Sequence, residues 1–298
     1  AAVAARRPIA FARPAARLAL RGEAIRFAPT FPRAFSTLYF RCSEAEGDFD
    51  GDGVFTVRCT ISPETNASLR EHVVFGQHLL PTDAYVELVL SAFRRYFSAG
   101  EVALENVAFV SPMIGAPGRD THLQVVFRAA PAGLDVTVRS GPTPASTDAI
   151  AHMHGRIVPA AALPAPLPER AFAVLATLDA ARIPTNAGTC YAPLRRLAFG
   201  DACAEGELLT APSEATFVAD PFMLYGGLCT VINHAAWLAA RDAGGDGAVH
   251  DQFLPVRIGR LWARAASSAA AGAYRRRAEL LRRDPDAFEF RFDVFDAV

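Results

Sequence analysis

From Thr82 to Phe97, directly after Pro81, apolar side chains fall almost all the way round a helical projection: Tyr85, Val86, Leu88, Val89, Leu90, Phe93, Tyr96 and Phe97. A helix without a polar face is stable only inside a core. Any fold for this chain must therefore wrap that segment on every side, and its flanks supply candidate strands. Val54–Thr60 alternates like a half-buried strand, and similar patterns recur at Val102–Val110, His122–Arg128, Leu134–Ser140 and Ala149–Ile157. Thr82 or Asp83 is the expected N-cap of the helix, and the glycine-bearing acidic run Glu44–Gly53 reads as a loop.

The same order returns further along. Residues 159–168, PAAALPAPLP, hold four prolines among small residues and read as a linker. Beyond it, Leu194–Phe199 and Ala202–Leu209 look like strands, and Met223–Ala240 is a second apolar helix ended by Gly244 and Gly245. Strand patterns follow at Phe253–Ile258, Tyr274–Leu281 and Phe288–Val294, with a turn at Asp284-Pro-Asp286 before the last. A buried helix wrapped by antiparallel strands, twice over, fits an α+β double hotdog, the fold implied by the resemblance of the His72–Pro81 stretch to a known family. The expected division is a linker over 1–35, an N-terminal hotdog over 36–158, a linker over 159–168 and a C-terminal hotdog over 169–298.

With 298 residues, 51% of them hydrophobic, the chain can bury one large core or two ordinary ones. A formal net charge of −1 implies no general attraction to nucleic acid or to an anionic membrane. No apolar run reaches the ~20 residues that span a bilayer. The five cysteines, Cys42, Cys59, Cys190, Cys203 and Cys229, form no CxxC pair and read as reduced thiols of a cytoplasmic protein. Residues 1–35 are rich in Ala and Arg and do not begin with Met, so a piece of a longer protein is expected.

The stretch His72-Val-Val-Phe-Gly76-Gln-His-Leu-Leu-Pro81 and the helix after it resemble the HxxxGxxxxP signature of the dehydratase domains of modular polyketide synthases. The resemblance runs over roughly residues 54 to 298. It implies that His72 takes a proton from the α-carbon of a β-hydroxyacyl thioester held on an acyl carrier protein. Imidazole, with an ordinary pKa near ~6.5, suits that task at neutral pH. Gly76 permits a left-handed or close turn, and Pro81 starts the helix where a missing N–H costs nothing. His78 is an extra histidine with an expected structural role. His152 and His154 resemble the HAxG strand closing the first hotdog; spaced by two, they are expected on one strand face, and no metal site is expected.

A second stretch, Asp220-Pro-Phe-Met-Leu-Tyr225-Gly-Gly-Leu-Cys229, lies where the family reads HPxLLDxxxQ. On that alignment Tyr225 stands at the position of the acid that protonates the departing hydroxyl, and Cys229 at the glutamine. Asp220 is the one acid between Ala219 and Ala240. The segment with Tyr191 and Pro193 resembles the family's YGPxFxxL wall of the substrate tunnel, and Asn233 shares the Tyr225 face of the helix. Gly76, Pro81, Tyr191, Pro193, Cys229 and Asn233 are thus the expected substrate-binding residues, with His72 and Tyr225 catalytic.

What the resemblance implies for function stays open between several readings. One is a dehydratase-like domain that keeps its base but lacks the aspartate, and assists Michael-type branching or cyclisation with a neighbouring ketosynthase. Another is an active dehydratase using His72 with Tyr225 or Asp220. A non-catalytic scaffold and an enoyl isomerase complete the set. All imply an acyl carrier protein whose phosphopantetheine arm carries the substrate, no cofactor, and a homodimer within the synthase.

Overall fold

The computed structural model describes residues 10–11, 17–20, 23–26, 46–49, 54–98, 102–131, 133–160, 171–180, 183, 194–210, 221–244, 254–263, 272–284 and 287–296. Within residues 1–35, read as linker, it places three short strands: β1 (Ala10–Phe11), β2 (Arg17–Leu20) and β3 (Glu23–Arg26). The run read as a loop before the first long strand contains β4 (Glu46–Phe49), which pairs with β5 (Val54–Ile61). A helix of one turn and a half, α1 (Ala67–Glu71), leads into β6 (Val73–Val74) and β7 (Gln77–Leu79). The long buried helix is α2 (Thr82–Tyr96), followed by β8 (Phe97–Ser98), β9 (Val102–Phe109), β10 (Ile114–Gly115), β11 (Thr121–Ala130), β12 (Gly133–Gly141) and β13 (Ile150–Pro159).

The chain divides into two compact units. The first holds everything up to β13 and, from much later in the sequence, β17 (Arg257–Ala263). Its main sheet runs β17-β9-β13-β12-β11-β5-β4, antiparallel throughout. The strand expected at Phe253–Ile258 therefore begins later and edges the first sheet, so residues 169–298 do not all serve the second unit. Register follows the alternation of side chains: Phe55, Phe127 and Val136 lie in one cross-strand row, and Val57, Val125 and Val138 in the next, all buried. A one-residue slip would turn these rows to the outside, at a cost of about 1.5–3 kcal/mol for each such side chain exposed. The opposite face carries a ladder of alternating charge, in which Arg260 pairs with Glu105 and Arg156 with Asp135.

Helix α2 crosses the buried face of that sheet. Near its C-terminus Phe93 stacks on Phe97 at 5.2 Å, and Phe97 meets Phe127 of β11 at 5.1 Å and Phe55 of β5 at 5.4 Å. Near its N-terminus Tyr85 lies 5.9 Å from Phe109 of β9 and 6.4 Å from His152 of β13. The burial extends even to the helix's polar residues, since Asp83 and Glu87 are as enclosed as the apolar ones, and Glu87 accepts the Ser91 hydroxyl.

The second unit contains β14 (Ala176–Asp179), β15 (Leu194–Phe199), β16 (Cys203–Thr210), α3 (Pro221–Asp242), β18 (Gly272–Asp284) and β19 (Ala287–Asp296). Its sheet runs β14-β15-β16-β18-β19, again antiparallel. Helix α3 lies close on this sheet. A Cβ at Gly206 would stand 2.4 Å from the Thr230 hydroxyl, and one at Gly227 2.5 Å from the Phe292 ring, so two glycines set the spacing. The helix ends at Gly244 with φ +73°, the left-handed stop expected of it. Both units are thus a helix laid on an antiparallel sheet, the double hotdog. Among the described residues no helix is long and apolar enough to cross a membrane.

Candidate active site

Val73 pairs with His78 and Val74 with Gln77, which leaves Phe75 and Gly76 as a two-residue turn. Both have positive φ, +50° and +76°. This is the type I′ geometry that suits the twist of a hairpin. The HxxxGxxxxP stretch is therefore a tight hairpin, with Gly76 in the left-handed conformation and Phe75 85% exposed at its tip. Phe75 adopts a conformation that bulky residues rarely take.

His72 closes α1 and opens this hairpin. Its amide donates to the Ser68 carbonyl at 3.1 Å as the helix C-cap, and its carbonyl accepts from Leu79 N at 3.0 Å. The ring Nδ1 lies 2.9 Å from the Leu79 carbonyl oxygen. A carbonyl only accepts, so Nδ1 carries the hydrogen and Nε2 of the neutral ring holds the lone pair. Burial lowers the pKa of His72, opposed by the Leu79 carbonyl bond. The neutral form, a base at Nε2, is thereby favoured at neutral pH.

Pro81 departs from its expected place by one position. It is itself the N-cap of α2, with no side-chain cap bond, and its carbonyl accepts from Ala84 N at 3.1 Å and Tyr85 N at 3.3 Å. Neither Thr82 nor Asp83 is the cap, because both already lie in the helix. His78 sends its Nδ1 to the Arg70 carbonyl at 2.9 Å, tying the hairpin to α1. The paired histidines of β13 are separated by a bulge: the register passes from Met153 to Ala151 opposite Val138 and Arg139, skipping His152. His152 is therefore buried while His154 is exposed and meets Thr137, so they do not share a face. Among the described residues no three His, Cys, Asp or Glu side chains gather where a metal could be held.

In the second unit Tyr225, Cys229 and Asn233 follow one another along one face of α3. Tyr225 is half-buried and packs against the apolar cluster that includes Leu194, Leu197, Leu208 and Cys229. Asn233 donates from Nδ2 to the Cys229 carbonyl at 2.8 Å, while its buried Oδ1 has no hydrogen-bond partner. His234 stacks on Phe199 and Trp237 and donates from Nε2 to the Gly200 carbonyl at 2.8 Å. Its enclosure pushes the pKa down to about 4. Arg276, fully buried on the inner face of β18 beside Gly226, is a charge that the sequence pattern did not single out. Tyr191, Pro193 and Asp220 lie outside the described residues. Cys59, Cys203 and Cys229 are buried thiols.

Residues 46–141 match the family model described as the polyketide synthase dehydratase domain. Among solved structures, the dehydratase domain from the CurJ module of curacin polyketide synthase aligns with a TM-score of 0.69 at 16% identity, over 87% of this chain and 90% of that one. A trans-AT polyketide synthase dehydratase domain from Brevibacillus brevis gives 0.65 at 19% identity, over 89% and 94%. A trans-acyltransferase polyketide synthase enoyl-isomerase gives 0.60 at 14% identity, over 80% and 92%. No curated protein sequence matches the chain. Residues 46–141 carry the dehydratase-domain signature, and over most of its length the chain shares the double-hotdog fold of these solved structures.

Proposed function

We propose that the chain binds α,β-unsaturated or β-hydroxyacyl thioesters on the phosphopantetheine arm of an acyl carrier protein and assists Michael-type branching or cyclisation with a neighbouring ketosynthase. The observation that carries this reading is an imbalance between the two halves of the chemistry. A base is kept, with His72 held neutral and its Nε2 lone pair unspent on the hairpin. On our reading of the Asp220–Cys229 stretch the acid's position falls to Tyr225, a phenol packed against an apolar cluster.

Loss of water requires two proton movements: removal of the α-proton and protonation of the departing hydroxyl. A phenol, with an ordinary pKa near ~10 against ~4 for a carboxyl, is a poor donor for the second. Addition to an enoyl thioester asks less. A nucleophile bonds to the β-carbon, the electrons pass to the thioester oxygen, and the α-carbon then takes a proton, so no hydroxide leaves. Imidazole cycling between its two forms can move that proton. None of these steps calls for a cofactor beyond the carrier arm. Gly76, Pro81, Cys229, Asn233, Tyr191 and Pro193 are the residues we assign to holding the acyl chain, and a homodimer within a synthase is the assembly we expect.

The test is intact-mass analysis of a carrier protein loaded with a β-hydroxyacyl or an enoyl thioester, with and without the ketosynthase and a malonyl donor. A malonyl-derived mass gain that needs this chain and its His72 supports the proposal. Loss of one water from the hydroxyacyl form, abolished in His72→Ala, would overturn it in favour of a dehydratase with an unusual acid. Migration of the enoyl double bond would make the chain an isomerase, and a gain indifferent to His72 would leave a scaffold.

A further inference from the structure

We infer that His152 and Tyr85 are positioning residues that set the ring of His72 through one shared peptide plane. The inference rests on the reading of His72 as the base, and its geometry lies wholly within the first unit. His72 Nδ1 donates to the carbonyl of Leu79. That carbonyl belongs to the same planar peptide as the amide of Leu80, which donates to the Met113 carbonyl at 3.0 Å. Because the plane is rigid, any rotation or shift imposed at Met113 is carried to the acceptor that orients the imidazole.

Met113 is in turn held from the core. Its amide donates to the Tyr85 hydroxyl of α2 at 3.1 Å, a bond buried at both ends. Two residues earlier, the Ser111 carbonyl accepts from His152 Nδ1 at 3.0 Å. His152 Nε2, left with the lone pair, lies 2.7 Å from the Ser140 hydroxyl, which donates to it. The backbone adds a further hold, since Val110 N donates to the His152 carbonyl at 2.9 Å. The bulge that skips His152 in the pairing with β12 lets this side chain turn inward, 3% exposed, towards Tyr85.

Each partner in the relay is thus committed. Both His152 ring nitrogens are matched, one to a strand hydroxyl and one to the segment that docks on the hairpin. The segment itself ends in β10, where Ile114 pairs with Leu79 and Gly115 with His78. The hairpin bearing His72 is short, and its tip is exposed. The Leu79–Leu80 plane is gripped by the His72 ring at its carbonyl and by Met113 at its amide, and misplacement of a base by about 1 Å costs roughly a hundredfold in rate.

The experiment is ring ¹⁵N–¹H NMR of the full chain, with the His72 signals assigned by their loss in His72→Gln. In the parent protein His72 is expected as a single Nδ1–H tautomer. His152→Leu should release it to a tautomer mixture, and His152→Asn should restore it, because the Asn Nδ2 can donate to Ser111 as the imidazole Nδ1 does. Thiol-ester turnover should fall roughly tenfold to a hundredfold in kcat with little change in KM in the first variant and recover in the second. An unmoved His72 tautomer in His152→Leu overturns the inference. Should that variant fail to fold, Tyr85→Phe carries the same test, since it removes only the acceptor of Met113 N; an unmoved tautomer there overturns it too. The ring signal needs no substrate, so a parent protein without turnover would sink the base reading alone.

Discussion

His72 and Leu79 hold each other twice: the Leu79 amide donates to the His72 carbonyl at 3.0 Å, and the His72 ring donates back to the Leu79 carbonyl at 2.9 Å. The ring bond leaves the lone pair that a base needs on Nε2. His72→Gln, which keeps a donor for Leu79 but offers no base, should lower α-proton exchange on a carrier-bound thioester by on the order of 10²- to 10⁴-fold. Melting temperature should change little. The folded pKa lies below the ordinary 6.5, so the basic form persists as pH falls, and the acid limb of the pH–rate profile should lie below 6.5.

The turn at the tip of this hairpin is costly in its present form. Phe75 has φ +50° and Gly76 φ +76°. Asn is the residue that type I′ turns favour before Gly, so Phe75→Asn should raise stability by about 1 kcal/mol. Gly76→Val should lower it by about 1–2 kcal/mol through strain alone, because nothing lies within 4 Å of a Cβ there. Urea unfolding of the two variants measures both changes.

How much of this was legible in sequence depends on the range of the interaction concerned. The buried helix was plain because Val86, Leu88, Val89, Leu90 and Phe93 leave no polar side between them, and most long strands were plain from their alternation, whereas the four-residue edge strands β4 and β14 are too short to show it. Helix α1 was missed because five residues are too few to show a period. The pairing of Arg257–Ala263 with β9 was missed because alternation announces a strand and not its neighbour. His152 and His154 carry a period of two that predicted one face, and a bulge, invisible in the residue types, undid it. The relay through Met113 and Leu80 is built largely of backbone atoms, which no side-chain motif can spell.

His234 should make the protein acid-sensitive. Its folded pKa of about 4 lies below the ordinary 6.5, so as pH falls the unfolded chain takes up a proton that the folded one refuses. Its contribution to stability is whole above 6.5 and is lost progressively as pH falls to 4, by about 3 kcal/mol in all. His72 and His152, also lowered by burial, act in the same direction. Unfolding free energies measured between pH 7 and 4 should show the slope, and His234→Phe should flatten it.

Gly133 marks a point where two strands leave no room. A Cβ there would stand 2.0 Å from the Ile157 carbonyl oxygen, an atom of the β13 backbone that cannot swing aside. Gly133→Ala should therefore part the start of β12 from β13 and cost on the order of 3 kcal/mol or more. Calorimetry of that variant against Gly118→Ala, where φ is +70° but nothing crowds the Cβ, separates close contact from backbone strain.

The late arrival of β17 bears on how the chain can be made. Strand β9 is bordered on one side by β13 and on the other by Arg257–Ala263, which the ribosome delivers only after α3. Until then the nascent first sheet has a bare edge at β9, with its amides and carbonyls open to any passing strand. Strands β14, β15 and β16 and helix α3 of the second unit must therefore be synthesised before the first sheet is finished, while β18 and β19 follow it. A truncation after residue 163 would produce a hotdog permanently missing one border, prone to pair with its own copies.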